Sequence, residues 1–121
     1  MTPSLVVLVA VGGAVGSVLR WRAERRVPWA APGGLPGGTL VVNVAGSLLL
    51  GGLVGGGAPA WVLALLGSGL CGGVTTYSGI CVQTVAAGQV SRRRAAAYLG
   101  ATLALGVAAA TLGWFVGKLV A

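Results

Sequence analysis

The sequence predicts an all-α membrane protein with four transmembrane helices. Hydrophobic residues make up 56% of the 121 residues and charged residues only 7%, with a mean hydropathy of +0.96. An average soluble domain carries about 25% charged residues, so a water-soluble fold could not cover its surface with so few. Four apolar runs, bounded by turn residues or charges, each approach the ~20 residues that cross the hydrocarbon layer. These predicted spans cover residues 4–20, 39–54, 60–87 and 95–117.

The first span ends at Arg20 and Trp21, whose long side chains can reach the membrane interface. Its arginines follow the apolar run, which is the reverse of a secretory signal, so we expect this segment to remain in the mature protein. The connection after it, residues 21–38, contains three prolines and paired glycines. This composition predicts a turn or, at most, a short surface helix.

The second span, residues 39–54, leads into a short connection around Gly55–Pro59. Proline is tolerated at the start of a helix, so Pro59 marks the beginning of the third span. The third helix is predicted to be broken near its middle, where the adjacent glycines Gly72 and Gly73 are followed by β-branched and hydroxyl residues. Each glycine destabilises a helix by up to ~1 kcal/mol relative to alanine. The alternative is a continuous helix that packs through its glycines and whose hydroxyls bond back to its own carbonyls.

The fourth span, residues 95–117, follows a predicted connection over residues 88–94. The 23 glycines are well above the usual share of about 7%, and several have small-xxx-small spacing, as in Gly12–Gly16 and Gly113–Gly117. Such spacing lets helices approach closely in lipid, so we expect tight packing and an oligomer. Four thin helices leave little room for a lined pathway, which makes a dimer the expected assembly.

Basic residues are distributed very unevenly between the two predicted sides of the membrane. Of the eight, Lys118 lies on the side of the termini, and the other seven flank the first and third connections: Arg20, Arg22, Arg25, Arg26, Arg92, Arg93 and Arg94. The positive-inside rule then places both arginine-rich connections in the cytoplasm and both termini outside. The predicted location is the cell (inner) membrane, crossed several times.

The charged and nucleophilic residues exclude most chemistry. Glu24 is the only acid and there is no histidine, so neither an acid/base pair nor a catalytic triad can form, and we expect no enzyme. The net charge of +7 is confined to short clusters between apolar runs, which argues against nucleic-acid binding. A small multidrug transporter would need an intramembrane carboxylate, but Glu24 lies beyond Arg20. Cys71 and Cys81 are ten residues apart on one predicted helix, too far for a disulfide.

Three motifs resemble the Fluc (CrcB) family of fluoride channels. The run Gly72–Ser78 is similar to the family signature Gly-Gly-x-Thr-Thr-Phe-Ser, Gly12–Arg20 is similar to its first-span pattern, and Gly38–Ser47 is similar to its second-span pattern around Asn43. The motifs occur in the family's order and the resemblance extends over essentially the whole chain. It implies an antiparallel dimer with two fluoride pathways and a structural Na+ that is not transported.

The resemblance also implies roles for individual residues. The backbone carbonyls of Gly72 and Thr75 would hold the Na+, and Arg20 would line the vestibule. Six residues correspond to the fluoride pathway: Asn43, Tyr77, Ser78, Ile80, Tyr98 and Thr102. The chain departs from the family at Tyr77 and Ile80, which replace two phenylalanines, and beyond Thr102, where Gly106 and Ala110 provide no hydroxyl.

The resemblance therefore implies a fluoride-selective channel subunit that exports fluoride passively and confers fluoride resistance, with no ATP or redox cofactor. Two alternatives stay open: a non-conducting structural subunit of a heterodimeric channel, and a small multidrug-resistance-type transporter. The charge asymmetry opposes insertion in both orientations, so the partner is either an identical chain or an oppositely oriented homologous subunit.

Overall fold

The computed structural model describes residues 2–26, 37–75 and 77–121, and the regular structure in these ranges is helical. Helix α1 covers Pro3–Arg26, α2 Gly37–Gly55, α3 Ala60–Val74, α4 Tyr77–Val90 and α5 Arg92–Val120. Within α3, the segment Leu63–Cys71 is a π-helix. The predicted all-α architecture is confirmed.

Helix α1 is longer than predicted, because residues 21–26 continue it. The prediction of a turn or short surface helix was wrong for this part of the first connection, and residues 27–36 lie outside the described residues. Arginine is a good helix former, and the Arg25 guanidinium stacks on Trp21, 5.0 Å from the ring centroid and one turn earlier. These interactions extend the helix through the basic cluster.

The third connection is much shorter than predicted and consists of Ser91 alone, between α4 and α5. Ser91 has an extended backbone, with φ −162° and ψ 134°, and its hydroxyl accepts a hydrogen bond from the Arg93 N–H at 3.2 Å. It is a serine N-cap, which starts a helix without a loop. By contrast, the turn after α2 follows the prediction: Gly57 has φ +68° and Pro59 precedes Ala60.

The third helix is interrupted at Thr75, within the region where the sequence predicts a break. Thr75 is extended, with φ −82° and ψ 157°, and α4 begins at Tyr77. Its N–H and its hydroxyl both donate to the Cys71 carbonyl, at 2.9 and 2.7 Å. The hydrogen-bond ladder ends there, so carbonyls of the last turn of α3 lose their regular helical donors.

Glycines allow two pairs of helices to approach closely. A β-carbon on Gly12 would overlap the Leu65 carbonyl oxygen of α3, and one on Gly113 would overlap the Leu48 carbonyl oxygen of α2. Helix α1 therefore packs against α3, and α2 against α5. The small-xxx-small motifs serve packing within one chain, so their spacing gives no argument for a dimer.

The two arginine clusters lie at the same end of the helix bundle. At that end the Thr39 hydroxyl, at the start of α2, donates to the Glu24 carboxylate at 3.3 Å. Gly51 contacts Ala110 and Gly55 contacts Trp114, so α2 and α5 run parallel and the start of α5 lies at the same end. At the other end Gly117 contacts the end of α2 around Gly56, which brings Lys118 close to the second connection.

Most large apolar side chains point outward, and the buried apolar residues are few: Val42, Ala64, Cys71, Ala87, Tyr98 and Ala109. By length and composition, α1 and α5 are able to cross a membrane, each with a mean hydropathy of 1.8. The apolar helices Thr39–Gly55 and Ala60–Val74 are shorter. Such an outward apolar surface is typical of a protein that faces lipid or a partner.

Candidate functional site

An open cavity of about 610 Å³ lies between α2, α3, α4 and α5. Helices α2 and α5 form two walls, and the π segment and the break at Thr75 form a third. The lining residues are small or neutral: Asn43, Gly46, Ser47, Leu50, Gly67, Ser68, Cys71, Gly72, Thr75, Ile80, Thr102, Leu103, Gly106, Val107 and Ala110.

Three of the predicted pathway residues line this cavity, although they are far apart in the sequence. Asn43 and Thr102 are only 7% and 5% exposed, so their polar groups are largely removed from solvent in this chain. Ile80, from the first turn of α4, also lines the cavity. Asn43 makes an interaction within the protein, and its amide can both donate and accept hydrogen bonds.

Tyr98 is placed differently, because its side chain is fully buried and is not part of the cavity wall. Tyr98 lies one helical turn before Thr102, whose buried hydroxyl has no hydrogen-bond partner within the described part of the chain. Tyr77 and Ser78 begin α4, and their side chains lie outside the described residues.

The cavity has no charged lining residue in the described part of the chain, but a cation lies at its edge. Arg20 donates from Nη1 to the Thr75 carbonyl oxygen at 3.4 Å, and Thr75 lines the cavity. A neutral cavity beside a guanidinium favours anions over cations. Glu24 hydrogen-bonds to Thr39 and is not among the lining residues.

The two residues that the resemblance assigns to Na+ both border the cavity. Gly72 has no other heavy atom within 4 Å of the position where a β-carbon would stand, so the surface beside its backbone is open. Neutral carbonyl oxygens suit a hard cation. The donor set therefore fits such an ion, although the Thr75 carbonyl also accepts the hydrogen bond from Arg20.

The structure also places Ser47 and Ser68 on the cavity wall, two neutral hydrogen-bonding residues to which the resemblance assigns no role. Ser47 follows Asn43 by four residues, and Ser68 precedes Gly72 by four. Since residues four apart share a helix face, this spacing could have identified both.

Comparisons with known proteins find matches over nearly the full length of this chain. A family model described as CrcB-like protein, Camphor Resistance (CrcB), matches residues 7–114. The chain is similar to fluoride-specific ion channel FluC 1 of Halobacterium salinarum, with 46% identity over 110 residues, 89% of each protein. It is 45% identical over 112 residues to FluC 2 of Rhodococcus jostii, covering 90% of this chain and 95% of that channel. It is 43% identical over 116 residues to FluC 1 of Thermobifida fusca, covering 89% and 95%.

Proposed function

We propose that this chain, which belongs to the CrcB-like protein family, is a subunit of a fluoride-selective channel through which fluoride leaves the cytoplasm passively. The observation that carries the proposal is the neutral cavity between Asn43 and Thr102, with the Arg20 guanidinium at its edge. Relatives that align with about nine-tenths of the chain are named fluoride-specific ion channels.

In the proposed mechanism, hydrogen-bond donors replace the water around the ion. The Asn43 amide and the Thr102 hydroxyl are both largely buried, so a hydrogen bond to an anion there is stronger than in water. Arg20 raises the local concentration of anions without lying in the cavity wall. Because these groups are neutral or at the edge, the ion is not held so tightly that it cannot leave.

A structural Na+ belongs to the same proposal. The carbonyls of Gly72 and Thr75 would hold it, because the break in the third helix releases carbonyls of the preceding turn from helical bonding. A bound cation would add a fixed positive charge beside the anion path.

We also infer an antiparallel dimer. One chain leaves the cavity open, with the Ser47 hydroxyl half-buried and Ser68 exposed. A bilayer does not tolerate exposed polar groups at depth, so a second subunit would close the cavity. The seven-to-one bias of basic residues favours a partner that is an oppositely oriented homologous subunit, whereas an identical chain would have to insert against that bias.

The test is fluoride efflux from liposomes that contain the purified chain alone, with chloride as the competing ion. When an identical chain completes the dimer, we expect fluoride efflux that Asn43→Ala reduces at least tenfold, and no efflux of chloride. Equal efflux of both ions would contradict selectivity, and efflux unaffected by Asn43→Ala would remove that amide from the pathway.

A second candidate is a non-conducting structural subunit. Three residues of the cavity wall that depart from the family pattern favour it. Ile80 lines the cavity where the resemblance expects an aromatic ring, and Gly106 and Ala110 bring no hydroxyl to its wall. In that case the chain alone conducts nothing, and efflux appears only when an oppositely oriented homologue is reconstituted with it. The transporter alternative would require drug-coupled proton movement, and the described part of the cavity wall holds no carboxylate.

A further inference from the structure

The wall that α5 contributes to the cavity loses its hydroxyl groups part of the way along. Thr102, Gly106 and Ala110 follow one another at four-residue intervals and all line the cavity, but only Thr102 has a hydroxyl. An anion that moves along this wall would therefore leave its last α5 donor at Thr102.

Ser47 of α2 fills this gap from the opposite wall. Its hydroxyl oxygen is the nearest atom to the open side of Gly106, 3.8 Å from where a β-carbon would stand. Ser47 lies one turn after Asn43 on the same wall, so the amide and the hydroxyl face the cavity in succession. The absence of a side chain at Gly106 leaves the Ser47 hydroxyl room to point into the cavity.

The Ser47 hydroxyl differs from the hydroxyls of Thr75 and Thr111, which are bonded to backbone carbonyls. Thr75 and Thr111 each donate to the carbonyl four residues earlier, at 2.7 and 2.8 Å. Ser47, which is half-buried, makes no such bond within the part of the chain that the structure describes. Its proton is thus available to an anion, and hydrogen bonds to an ionised acceptor are about twice as strong as neutral ones.

We propose that Ser47 is a fluoride-contacting residue, which donates its hydroxyl proton to the permeating ion at the level of Gly106 and replaces the hydroxyl that α5 lacks there. The inference rests on the proposed fluoride channel. It identifies α2, with Asn43 and then Ser47, as the helix that carries the anion beyond Thr102.

The experiment moves the hydroxyl across the cavity. Fluoride efflux is measured from liposomes for the wild type, Ser47→Ala, Gly106→Ser and the double variant, with size-exclusion elution to verify the fold. Thr111→Ala is the matched control, because Thr111 is exposed, bonds to its own helix and does not line the cavity.

Ser47→Ala should lower efflux roughly tenfold, the effect of losing one hydrogen bond of about 1.4 kcal/mol to a charged group. Gly106→Ser added to it should restore most of the rate, since its hydroxyl would occupy nearly the same place, while Thr111→Ala should match the wild type. Efflux at the wild-type rate in Ser47→Ala would overturn the role of Ser47 and leave the proposed channel standing. The absence of recovery in a well-folded double variant would do the same. Absence of efflux in the wild type, both alone and reconstituted with an oppositely oriented homologue, would instead overturn the proposed channel and this inference with it.

Discussion

The Arg20 guanidinium of α1 donates a hydrogen bond to the carbonyl oxygen of Thr75, 3.4 Å from its Nη1, and so joins the end of the first helix to the break after the third. The two residues are 55 positions apart in the sequence. Arg20 is half-buried, so the contact is partly shielded from solvent. This hydrogen bond links the basic end of the bundle to the wall of the cavity.

Replacement of Arg20 by Gln should weaken both the fold and ion conduction. The lost hydrogen bond is long, and we expect a decrease of about 1 kcal/mol in the free energy of unfolding, together with slower fluoride efflux because the local positive charge is gone. Arg20→Lys retains the charge and should recover most of the efflux. Thermal unfolding in detergent and liposome efflux measure the two effects, and equal efflux in Arg20→Gln and wild type would contradict the electrostatic role.

Sodium should stabilise the purified protein more than potassium at the same concentration. The proposed site consists of carbonyls at the Thr75 break, and an ion that binds only the folded state raises its stability by mass action. The measurement is the unfolding temperature in NaCl and KCl at equal ionic strength. Arg20→Gln should increase the sodium effect, because a neighbouring positive charge opposes cation binding. Identical unfolding temperatures in the two salts would argue against a Na+ site.

Gly12→Ala should be severely destabilising. Its β-carbon would overlap the Leu65 carbonyl oxygen, and the backbone of α3 cannot move aside as a side chain could, so we expect a loss of about 3 kcal/mol or more. Two glycines serve as controls: Gly13 would meet only the Gly69 carbonyl oxygen, at 3.8 Å, and Gly100 would meet nothing within 4 Å. Alanine at Gly100 should be neutral or stabilise by up to about 1 kcal/mol. A loss for Gly12→Ala no larger than that for Gly13→Ala would mean that α1 and α3 pack more loosely than described.

Ser91→Ala should destabilise the start of α5. The Ser91 hydroxyl accepts from the Arg93 N–H, and loss of such a cap costs about 1 kcal/mol. Ser91→Asp should preserve the cap and add a charge that suits the helix N-terminus. Hydrogen exchange of the first turn of α5 reports the change directly, and unchanged protection in Ser91→Ala would show that the cap contributes little.

The helices could be predicted because hydrophobic runs and turn residues act locally. The break after α3 and the turn at Gly57 follow from glycine and β-branched residues in the sequence itself. The extents of α1 and α5 could not be predicted in this way: composition does not reveal that Arg25 stacks on Trp21, or that Ser91 alone separates two helices.

The candidate site could be predicted only in part. Asn43, Thr102 and Ile80 were expected in the pathway and do line one cavity, yet no local pattern brings Ser47 opposite Gly106. That relationship depends on the register between α2 and α5, which glycine contacts such as Gly51 with Ala110 determine. Family resemblance indicates which positions matter, whereas the packing of these helices determines which residue can substitute for another.

The outward orientation of the large apolar side chains affects the thermodynamics of unfolding. When soluble proteins unfold, apolar surface enters water and the heat capacity rises. In a bilayer the separating helices of this chain would exchange contacts such as that between Gly113 and Leu48 for contacts with lipid tails, which are equally apolar. Calorimetry in lipid should therefore find a small change in heat capacity for helix separation, and a stability that varies little with temperature compared with that of a water-soluble domain of the same length.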